Sequence, residues 1–460
     1  MNHLGIEVNI RNIPPLDPGF LPINRFNEAF LKDAREPFDI AVERANGEMA
    51  VHKTFIHGTP EMFRADVYYV ERIVKTLLWM KGGYKVYLAG SKKVADEIRR
   101  MYDAGGQQAF DWDYMANVFE KPFEVISVDA VPQAKDSPKK VGGHMDGCRI
   151  GFDAGGSDRK VSAVMDGESV YSEEVVWFPK ITADPDYHYE GIVSALKSAA
   201  AHLPRVDAVG VSSAGVYINN RTMNASLFLQ VPKELFDAKV KDIYIRAITD
   251  TFGDVPYAVY NDGDVSALAG AISLSDNNVL GIAMGTSEAV GYVDRDGCIT
   301  GWLNELAFVP VDASPEAMRD EWSGDIGCGV KYFSQDSVIK LAPRAGIELD
   351  ESLSPAEKLK VVQKRMEEGD PAAAKIYESI GVYLAHALAH YYDMYGFKHV
   401  LLLGRVMSGK GGDLILDTCK KVLSDEYSEI SKVIFPSLPD EKFRRVGQSA
   451  AAASLPESRK

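Results

Sequence analysis

A pair of apolar segments joined by a glycine turn constrains the fold most, because this pattern occurs twice in the chain. Residues 148–167 read CRIGFDAGGSDRKVSAVMDG, in which an acid, two glycines and a hydroxyl separate two apolar runs. Residues 278–294 read NVLGIAMGTSEAVGYVD and repeat the order of apolar run, glycine turn and apolar run. Each segment predicts two strands joined by a tight turn. We therefore expect two halves that each begin with such a hairpin and face each other across a cleft.

The turn in the first segment suits a phosphate group. Gly155 and Gly156 have no Cβ, so their backbone can take positive φ and come close to a bulky anion. The backbone N–H groups of such a turn point at phosphate oxygens, and the Ser157 hydroxyl is a further donor. Asp153, beside the turn, can hold Mg²⁺ directly or through water. The pattern favours a nucleotide-phosphate site, and a plain hairpin with a Gly-Gly turn is the alternative.

Composition narrows the class of protein. The 460 residues are enough for two or three domains. The formal net charge of −15 argues against a non-specific nucleic-acid binder. The four cysteines are far apart and form no C-x-x-C pair, which fits a reducing cytosol. The N-terminus lacks a signal-peptide pattern and no apolar run is long enough to cross a bilayer, so we expect a soluble cytoplasmic protein.

Strand-like and helix-like segments alternate along the chain. Before residue 145 they include MAVHKTFI, ADVYYVERIVKTLLWM, KVYLAG and KKVADEIRRMY. A polar, turn-rich stretch, PQAKDSPKKVGGHMDG, then predicts a linker. Such alternation is typical of α/β units, so we expect residues 1–145 to form an N-terminal α/β module ahead of a larger α/β protein.

A carboxylate lies where the predicted strand in YAVYNDGD meets the predicted helix VSALAGAI. A carboxylate at a strand end can take a proton from an attacking hydroxyl, and phosphoryl transfer needs one positioned base together with charge neutralisation. Asp262 is our candidate for that base. The alternative is that Asp262 caps the helix or forms an Asx turn.

Two further turns can complete a nucleotide site. Gly285, Thr286 and Ser287 form a second donor-rich turn, for which an ordinary hairpin is the alternative. In LLLGRVMSGKGGD, residues 401–413, a strand ends at Gly404, where an adenine ring can lie flat against the backbone. The alternative for this segment is a generic turn between a strand and a helix.

In this order the segments resemble the ROK family of bacterial sugar kinases, over roughly residues 148–460. DAGGS is similar to the D-x-G-G-T turn of that family, and AMGTSEAVGYV is similar to its L-G-T-G-x-G-x-G turn. The other matching segments are YNDGDVSALAGA, GWLNELAFVPV, VSSAGVYINNRTMNASL, LLLGRVMSGKGGD and GQSAAAAS. The resemblance implies an α/β, two-lobed actin-like ATPase (ribonuclease-H-like) fold. Its small lobe would span 146–265 and its large lobe 266–460, with the C-terminal helix packing back on the small lobe.

The resemblance also implies roles for individual residues. Asp262 would be the catalytic base, and Asp153 would organise Mg²⁺, through water. The sugar would be bound or bordered by Asn261, Glu305, Gly215 and Asn224. ATP would be bound by Gly155, Gly156, Ser157, Gly285, Thr286 and Gly404.

The chain departs from the family pattern at two places. Phe308 stands where the family has a histidine that contacts the sugar, so the identity of the sugar, glucose included, is left open. The family's zinc-binding C-x-C-x₄-C run is missing and only Cys328 lies nearby, so we expect no structural zinc. DAGGSDRK is also similar to the phosphate segment of eukaryotic hexokinases, which would put Lys160 near the phosphates. A lysine on the strand surface is the interpretation that we favour.

Three other features of the sequence each allow a functional and a structural interpretation. His386 and His390 share one helix face and could chelate a metal, but no acid stands between them and a structural role is favoured. The aromatic segment FDWDYMANVF at 110–119 is interpreted as core rather than interface. Residues 1–145 show no basic recognition helix, which disfavours a DNA-reading module.

The motifs together favour an ATP-dependent kinase of a hexose, an amino sugar or a related polyol. Its partner would be a small-molecule sugar, with no nucleic acid and no membrane. A non-catalytic sugar sensor on the same fold is the second hypothesis, and an ATPase whose acceptor is water or a protein is the third. A homodimer is compatible with the sequence.

Overall fold

The computed structural model describes residues 1–138, 141–440 and 447–459. The chain divides into two compact units. Unit 1 comprises Met1–Ser137, Ile282–Val290 and Trp302–Leu438, and unit 2 comprises Pro138–Gly281, Gly291–Gly301 and Pro439–Lys460. This division differs from the three parts expected from the sequence, because residues 1–137 share a unit with most of the second half. The boundaries predicted at 145 and 265 stay a prediction.

The N-terminal part of unit 1 contains a four-stranded sheet in the order β4-β3-β5-β6. Its elements are β1 (Asn2–His3), β2 (Ile6–Glu7), α1 (Ile23–Leu31), β3 (Glu36–Glu43), β4 (Met49–Ile56), α2 (Phe63–Lys81), β5 (Lys85–Ala89), α3 (Lys92–Met101), α4 (Ala109–Phe119) and β6 (Glu124–Ser127). β3 is antiparallel to β4 and β5, and β5 is parallel to β6. The α/β alternation predicted for this part is confirmed.

Unit 2 is built on a five-stranded sheet in the order β13-β10-β7-β8-β9. Its elements are β7 (Cys148–Ala154), β8 (Asp158–Met165), β9 (Glu168–Val176), α5 (Pro185–Ala200), β10 (Ala208–Ser213), β11 (Val216–Ile218), β12 (Arg221–Asn224), α6 (Lys233–Leu235), α7 (Ile243–Phe252), β13 (Tyr257–Asn261) and α8 (Asp262–Leu274). β7, β10 and β13 are parallel, with Ser212 beside Asp153 and Ser213 beside Asn261. The carboxyl ends of these strands therefore meet at one edge, where α/β proteins bind ligands.

The remaining part of unit 1 is mostly helical. The elements that follow α8 are β14 (Val279–Met284), β15 (Glu288–Val293), α9 (Gln335–Arg344), α10 (Pro355–Glu367), α11 (Pro371–Tyr395), β16 (His399–Leu403), α12 (Gly409–Glu426), α13 (Ser428–Ser431) and β17 (Phe435–Ser437). β14 to β17 form a sheet in the order β15-β14-β16-β17. None of the helices within the described ranges is long and apolar enough to cross a membrane.

The last helix, α14 (Gln448–Ala453), packs on the sheet of unit 2. Two strand glycines allow this close approach. An ideal Cβ on Gly151 would lie 1.7 Å from the Ser449 carbonyl oxygen, and one on Gly210 would lie 1.7 Å from that of Ala452. Any side chain at either glycine would therefore push the helix off the sheet.

Aromatic rings from the first and last chain segments of unit 1 pack together. The Trp79 ring lies 6.0 Å from Phe110 and 4.8 Å from Tyr114 between centroids, which supports the interpretation of segment 110–119 as core. Phe308 packs on the same indole at 4.3 Å. Phe308 thus lies against an aromatic cluster supplied by residues 63–119.

Buried ion pairs make a second link within unit 1. Arg72 and Lys75 of α2 reach the Asp325 carboxylate at 2.9 and 3.2 Å, and Lys75 also pairs with Asp111 at 2.7 Å. Burial opposes ionisation of Asp325, but the two cations still hold its pKa below the ordinary value. Cys328 lies nearby, and burial raises the pKa of its thiol to about 12. The segment around this cysteine is therefore held by charge pairs to the N-terminal residues.

Candidate functional site

The glycine turn predicted between β7 and β8 is present and is fixed by one tryptophan. β7 ends at Ala154 and β8 begins at Asp158. The Trp177 backbone N–H donates to the Ser157 carbonyl oxygen at 3.1 Å, and the indole N–H donates to that of Gly155 at 2.8 Å. The segment after β9 therefore holds the turn in place.

The two turn glycines are needed for close approach and not for positive φ. Neither Gly155 nor Gly156 has a φ in the left-handed region, so the expectation of that conformation is wrong. An ideal Cβ on Gly155 would lie 2.6 Å from the Asp158 carbonyl oxygen, and one on Gly156 would lie 2.6 Å from Lys180 Cε. A side chain at Gly156 would therefore displace Lys180, and one at Gly155 would strike the backbone of the turn itself.

Asp153, the predicted metal-binding residue, lies one residue before the end of β7. Its Oδ1 accepts a hydrogen bond of 2.8 Å from the Ser212 hydroxyl. Burial raises the pKa of Asp153 to about 6, the Ser212 bond opposes the rise, and the negative charge of Asp262 adds to it. The fold thus brings Asp262 close enough to Asp153 for its charge to raise the pKa of Asp153.

Asp262, the predicted base, is the first residue of α8. Asn261, and not Asp262, is the N-cap: its Oδ1 accepts from the Gly263 N–H at 2.7 Å. Asp262 Oδ1 accepts from the same N–H at 3.0 Å. Burial raises the pKa of Asp262, while this backbone bond and the nearby charge of Lys180 lower it. The N-cap of α8, which was the alternative role for Asp262, is therefore its neighbour Asn261.

Three of the predicted sugar-binding residues lie together. Asn261 Nδ2 donates to the Gly215 carbonyl oxygen at 2.7 Å, so both ends of this amide have partners within the protein. Gly215 has a φ of +136°, and an ideal Cβ there would lie 2.4 Å from the Asn224 carbonyl oxygen. These contacts explain why position 215 is glycine. Sugar contacts by these residues stay a prediction.

Ser212 and Gln448 are site residues that the sequence analysis missed. The Gln448 side-chain N–H₂ donates to the Ser212 hydroxyl at 3.0 Å and to the Asp262 carbonyl oxygen at 2.9 Å. Because Ser212 donates in turn to Asp153, one chain of bonds links both acids to α14. The signal was a single polar residue at the start of an alanine helix in GQSAAAAS.

Lys180 is a second missed residue. It follows the buried Pro179, whose carbonyl oxygen is bonded by His188 Nε2 at 3.0 Å. Its Nζ would lie 2.8 Å from an ideal Cβ on Gly156, so the ammonium group lies over the glycine turn. It also acts on the pKa of Asp262. An exposed cation from the loop after β9 therefore lies over the glycine turn and acts on Asp262.

Lys160, the other lysine considered, lies on the strand surface. It pairs across the sheet with Asp153, but its ammonium is directed to Asp158 and Glu174 at 3.8 and 3.6 Å. The interpretation as a strand-surface lysine agrees with these contacts.

The predicted nucleotide turns of unit 1 adjoin each other. The Gly285 N–H donates to the Ser287 carbonyl oxygen at 2.9 Å. Gly404 has a φ of +94°, and an ideal Cβ there would lie 2.3 Å from the Met284 carbonyl oxygen. Arg405, which the sequence analysis missed, donates to the Thr286 hydroxyl at 3.4 Å. Thr286 and Gly404 are therefore neighbours at the ends of β14 and β16.

Glu305, the predicted sugar ligand of unit 1, precedes a short 3₁₀ turn at Leu306–Phe308. Its backbone N–H donates to the Trp79 carbonyl oxygen at 2.9 Å, which fixes its position against α2. It lies close enough to Glu288 to raise the pKa of that carboxyl. Glu288 was not singled out from the sequence.

The histidine pair is part of the packing of unit 1. His386 and His390 are buried in α11, and His386 Nδ1 shares a 2.5 Å hydrogen bond with the Tyr427 hydroxyl. Burial lowers the pKa of each to about 4. Within residues 1–138, 141–440 and 447–459, no group of three or more His, Cys, Asp or Glu side chains is arranged to hold a metal ion.

Known proteins resemble this chain in structure and not detectably in sequence. No protein-family model matches it, and no curated protein does. The ROK hexokinase from Thermus thermophilus is 17% identical, with a TM-score of 0.52, over 66% of this chain and 96% of that one. A ROK family transcriptional regulator, a homologue of the E. coli MLC protein, is 16% identical, with a TM-score of 0.53, over 79% of this chain and 87% of that one.

Sequence identities this low support a conclusion about the fold alone. The kinase and the regulator have the same architecture, so the architecture does not choose between catalysis and regulation. The fold predicted from the ordered motifs is confirmed: this chain has the α/β fold of the ROK hexokinases, an actin-like ATPase fold.

Proposed function

We propose that the protein transfers the γ-phosphoryl group of ATP to a hydroxyl of a sugar or related polyol. The observation that carries the proposal is the arrangement in unit 2. There Asp153 precedes the glycine turn, the ammonium of Lys180 lies over that turn, and Asp262 is close enough to raise the pKa of Asp153. Phosphoryl transfer requires a positioned base and neutralisation of phosphate charge, and this set supplies both kinds of group.

Asp262 is proposed as the general base. Burial raises the pKa of this carboxyl above that of an exposed aspartate, which makes it a stronger base near neutral pH. The positive charge of Lys180 opposes that rise. In this mechanism Asp262 takes the proton of the attacking hydroxyl as its oxygen bonds to phosphorus and the bond to ADP breaks.

Asp153 is proposed to hold Mg²⁺ through water. A carboxylate at a strand end is the oxygen donor that this ion prefers, and the Ser212 bond fixes its orientation. When bound, the ion would neutralise charge on the phosphate oxygens. Gly155, Gly156 and Ser157 would bind those oxygens through backbone and hydroxyl donors.

The same proposal assigns residues of unit 1 to other parts of ATP and to the sugar. Thr286 and Gly285 would bind phosphate oxygens, and Gly404 would border the adenine. Glu305 would accept a hydrogen bond from a sugar hydroxyl. A cytoplasmic location follows from the need for ATP, and a homodimer stays a prediction.

An assay of ADP release with a panel of hexoses, amino sugars and polyols tests the proposal. We expect ADP release that depends on one class of sugar and is lost in Asp262→Asn. ADP release of equal rate without any sugar would instead favour an ATPase that acts on water or a protein.

A non-catalytic sugar sensor is the second candidate. The observation that favours it is Phe308, which packs on Trp79 in place of a sugar-contacting histidine. A regulator with the same fold is known. If no sugar supports ADP release but sugars still raise the melting temperature, the sensor replaces the kinase.

A further inference from the structure

Glu288 is a buried acid that has no partner. It is the first residue of β15 and is 3% exposed. Neither of its carboxylate oxygens accepts a hydrogen bond from any described residue. A buried carboxyl without a partner costs free energy and calls for an explanation, of which a missing ligand is one.

The described residues around Glu288 offer further hydrogen-bond acceptors. Glu305 is the one charged group among the described residues that acts on the pKa of Glu288, and it raises that pKa, as burial does. The Tyr391 hydroxyl, also buried and without a hydrogen-bond partner, is close enough to feel the charge of Glu288. Gly329 lies against the carboxylate, because an ideal Cβ there would be 2.5 Å from Oε2.

We propose that Glu288 and Glu305 bind the ammonium group of an amino sugar or amino polyol. This inference rests on the proposed function, in which Glu305 is a sugar ligand. An ammonium group has three N–H donors, and Glu288, Glu305 and the Tyr391 hydroxyl are three acceptors for them. A divalent metal fits less well, because two carboxylates do not make the larger oxygen shell that it needs.

The ionisation of Glu288 supplies a second signature. Burial and the charge of Glu305 raise its pKa well above the ordinary value, which favours the protonated carboxyl in the free protein. A bound ammonium favours the carboxylate, so amino-sugar binding should release a proton. A neutral sugar should release none.

Calorimetric titration in the absence of ATP tests the proposal. The probes are glucosamine, N-acetylglucosamine and glucose, with the matching mannose and galactose series. We expect one amino sugar to bind at least about tenfold more tightly than its N-acetyl and hydroxyl counterparts, because charged hydrogen bonds are lost in both. Proton release is read from the dependence of the heat on the buffer.

Two variants localise the effect. Glu288→Gln keeps the size of the side chain and should remove most of the preference for the amine, together with the proton release. Glu348→Gln, at an exposed acid of the same unit, should change neither. If Glu288→Gln fails to fold, the preference and proton release of the unmodified protein still decide.

Equal binding of amino and neutral sugars by the unmodified protein would overturn the inference, as would a preference unchanged in Glu288→Gln. The failure of the proposed function looks different. Amino-sugar binding with proton release but no ADP release would reject the kinase and leave the ammonium site standing. Phosphorylation of neutral sugars alone would support the kinase and reject the ammonium site.

Discussion

The side-chain amide of Gln448 donates a 2.9 Å hydrogen bond to the carbonyl oxygen of Asp262, 186 residues earlier in the chain. The same amide donates to Ser212, which bonds Asp153. The first residue of α14 therefore sets the positions of both acids at once. In the proposed mechanism it is a positioning residue that touches no substrate.

Gln448→Ala should lower the free energy of unfolding by about 1–3 kcal/mol, because two partly buried acceptors lose their donor. It should lower kcat more than it changes KM, since Asp262 loses its support. Urea denaturation and steady-state kinetics measure the two effects. Gln107→Ala, at an exposed glutamine, is the control. An unchanged kcat would contradict the positioning role.

Asp262→Asn should keep sugar binding and lower kcat by about 10²–10⁴, the usual worth of a general base. The amide still accepts from the Gly263 N–H but cannot take a proton. Calorimetry measures the binding, and ADP release measures the turnover. Asp129→Asn, at an exposed acid, should keep full activity. Turnover retained in Asp262→Asn would rule out the assigned role.

Asp153→Asn should stabilise the protein at neutral pH while it impairs activity. The pKa of Asp153 is raised from about 3.8 to about 6 in the folded protein, so the folded state binds more protons in that interval. Stability conferred by this carboxyl therefore falls as pH rises from 4 to 6, by at most about 3 kcal/mol. Urea denaturation at pH 7.5 should show the gain of the variant, and at pH 4 the gain should vanish. A variant less stable than the parent at pH 7.5 would refute the account.

Lys180→Met should weaken ATP-dependent turnover by about tenfold or more, as expected when a charged hydrogen bond to phosphate is lost. It should also raise the pKa of Asp262, because Lys180 lowers it. The acid side of the pH–rate profile should therefore move to higher pH, with a larger loss at pH 6 than at pH 8. Lys197→Met, at an exposed lysine of α5, is the matched control. An unchanged pH–rate profile would show that Lys180 does not act on the pKa of Asp262.

Gly210→Ala should destabilise unit 2 by about 1–3 kcal/mol or more, since its Cβ would overlap the Ala452 carbonyl oxygen. Gly105→Ala is the control, because an ideal Cβ there meets nothing within 4 Å. Thermal unfolding compares the two. Equal melting temperatures would show that α14 is free to shift.

Local patterns predicted the main elements that carry the candidate site. The segment ADVYYVERIVKTLLWM lies within α2, and the strand and turn around Asp153 form as expected, because periodicity and glycines act over a few residues. Gln448 and Lys180 were missed because their roles depend on partners far away in the chain. The grouping of residues 1–137 with 302–438 was missed for the same reason.

The packing of α2 has a practical consequence for anyone who shortens the gene. A fragment that starts after residue 137 would strip Asp325 of both its cations and uncover the ring of Phe308. An orphaned buried charge alone costs about 3–5 kcal/mol, a large part of the stability of an average domain. Removal of residues 1–137 would therefore leave a fragment that aggregates.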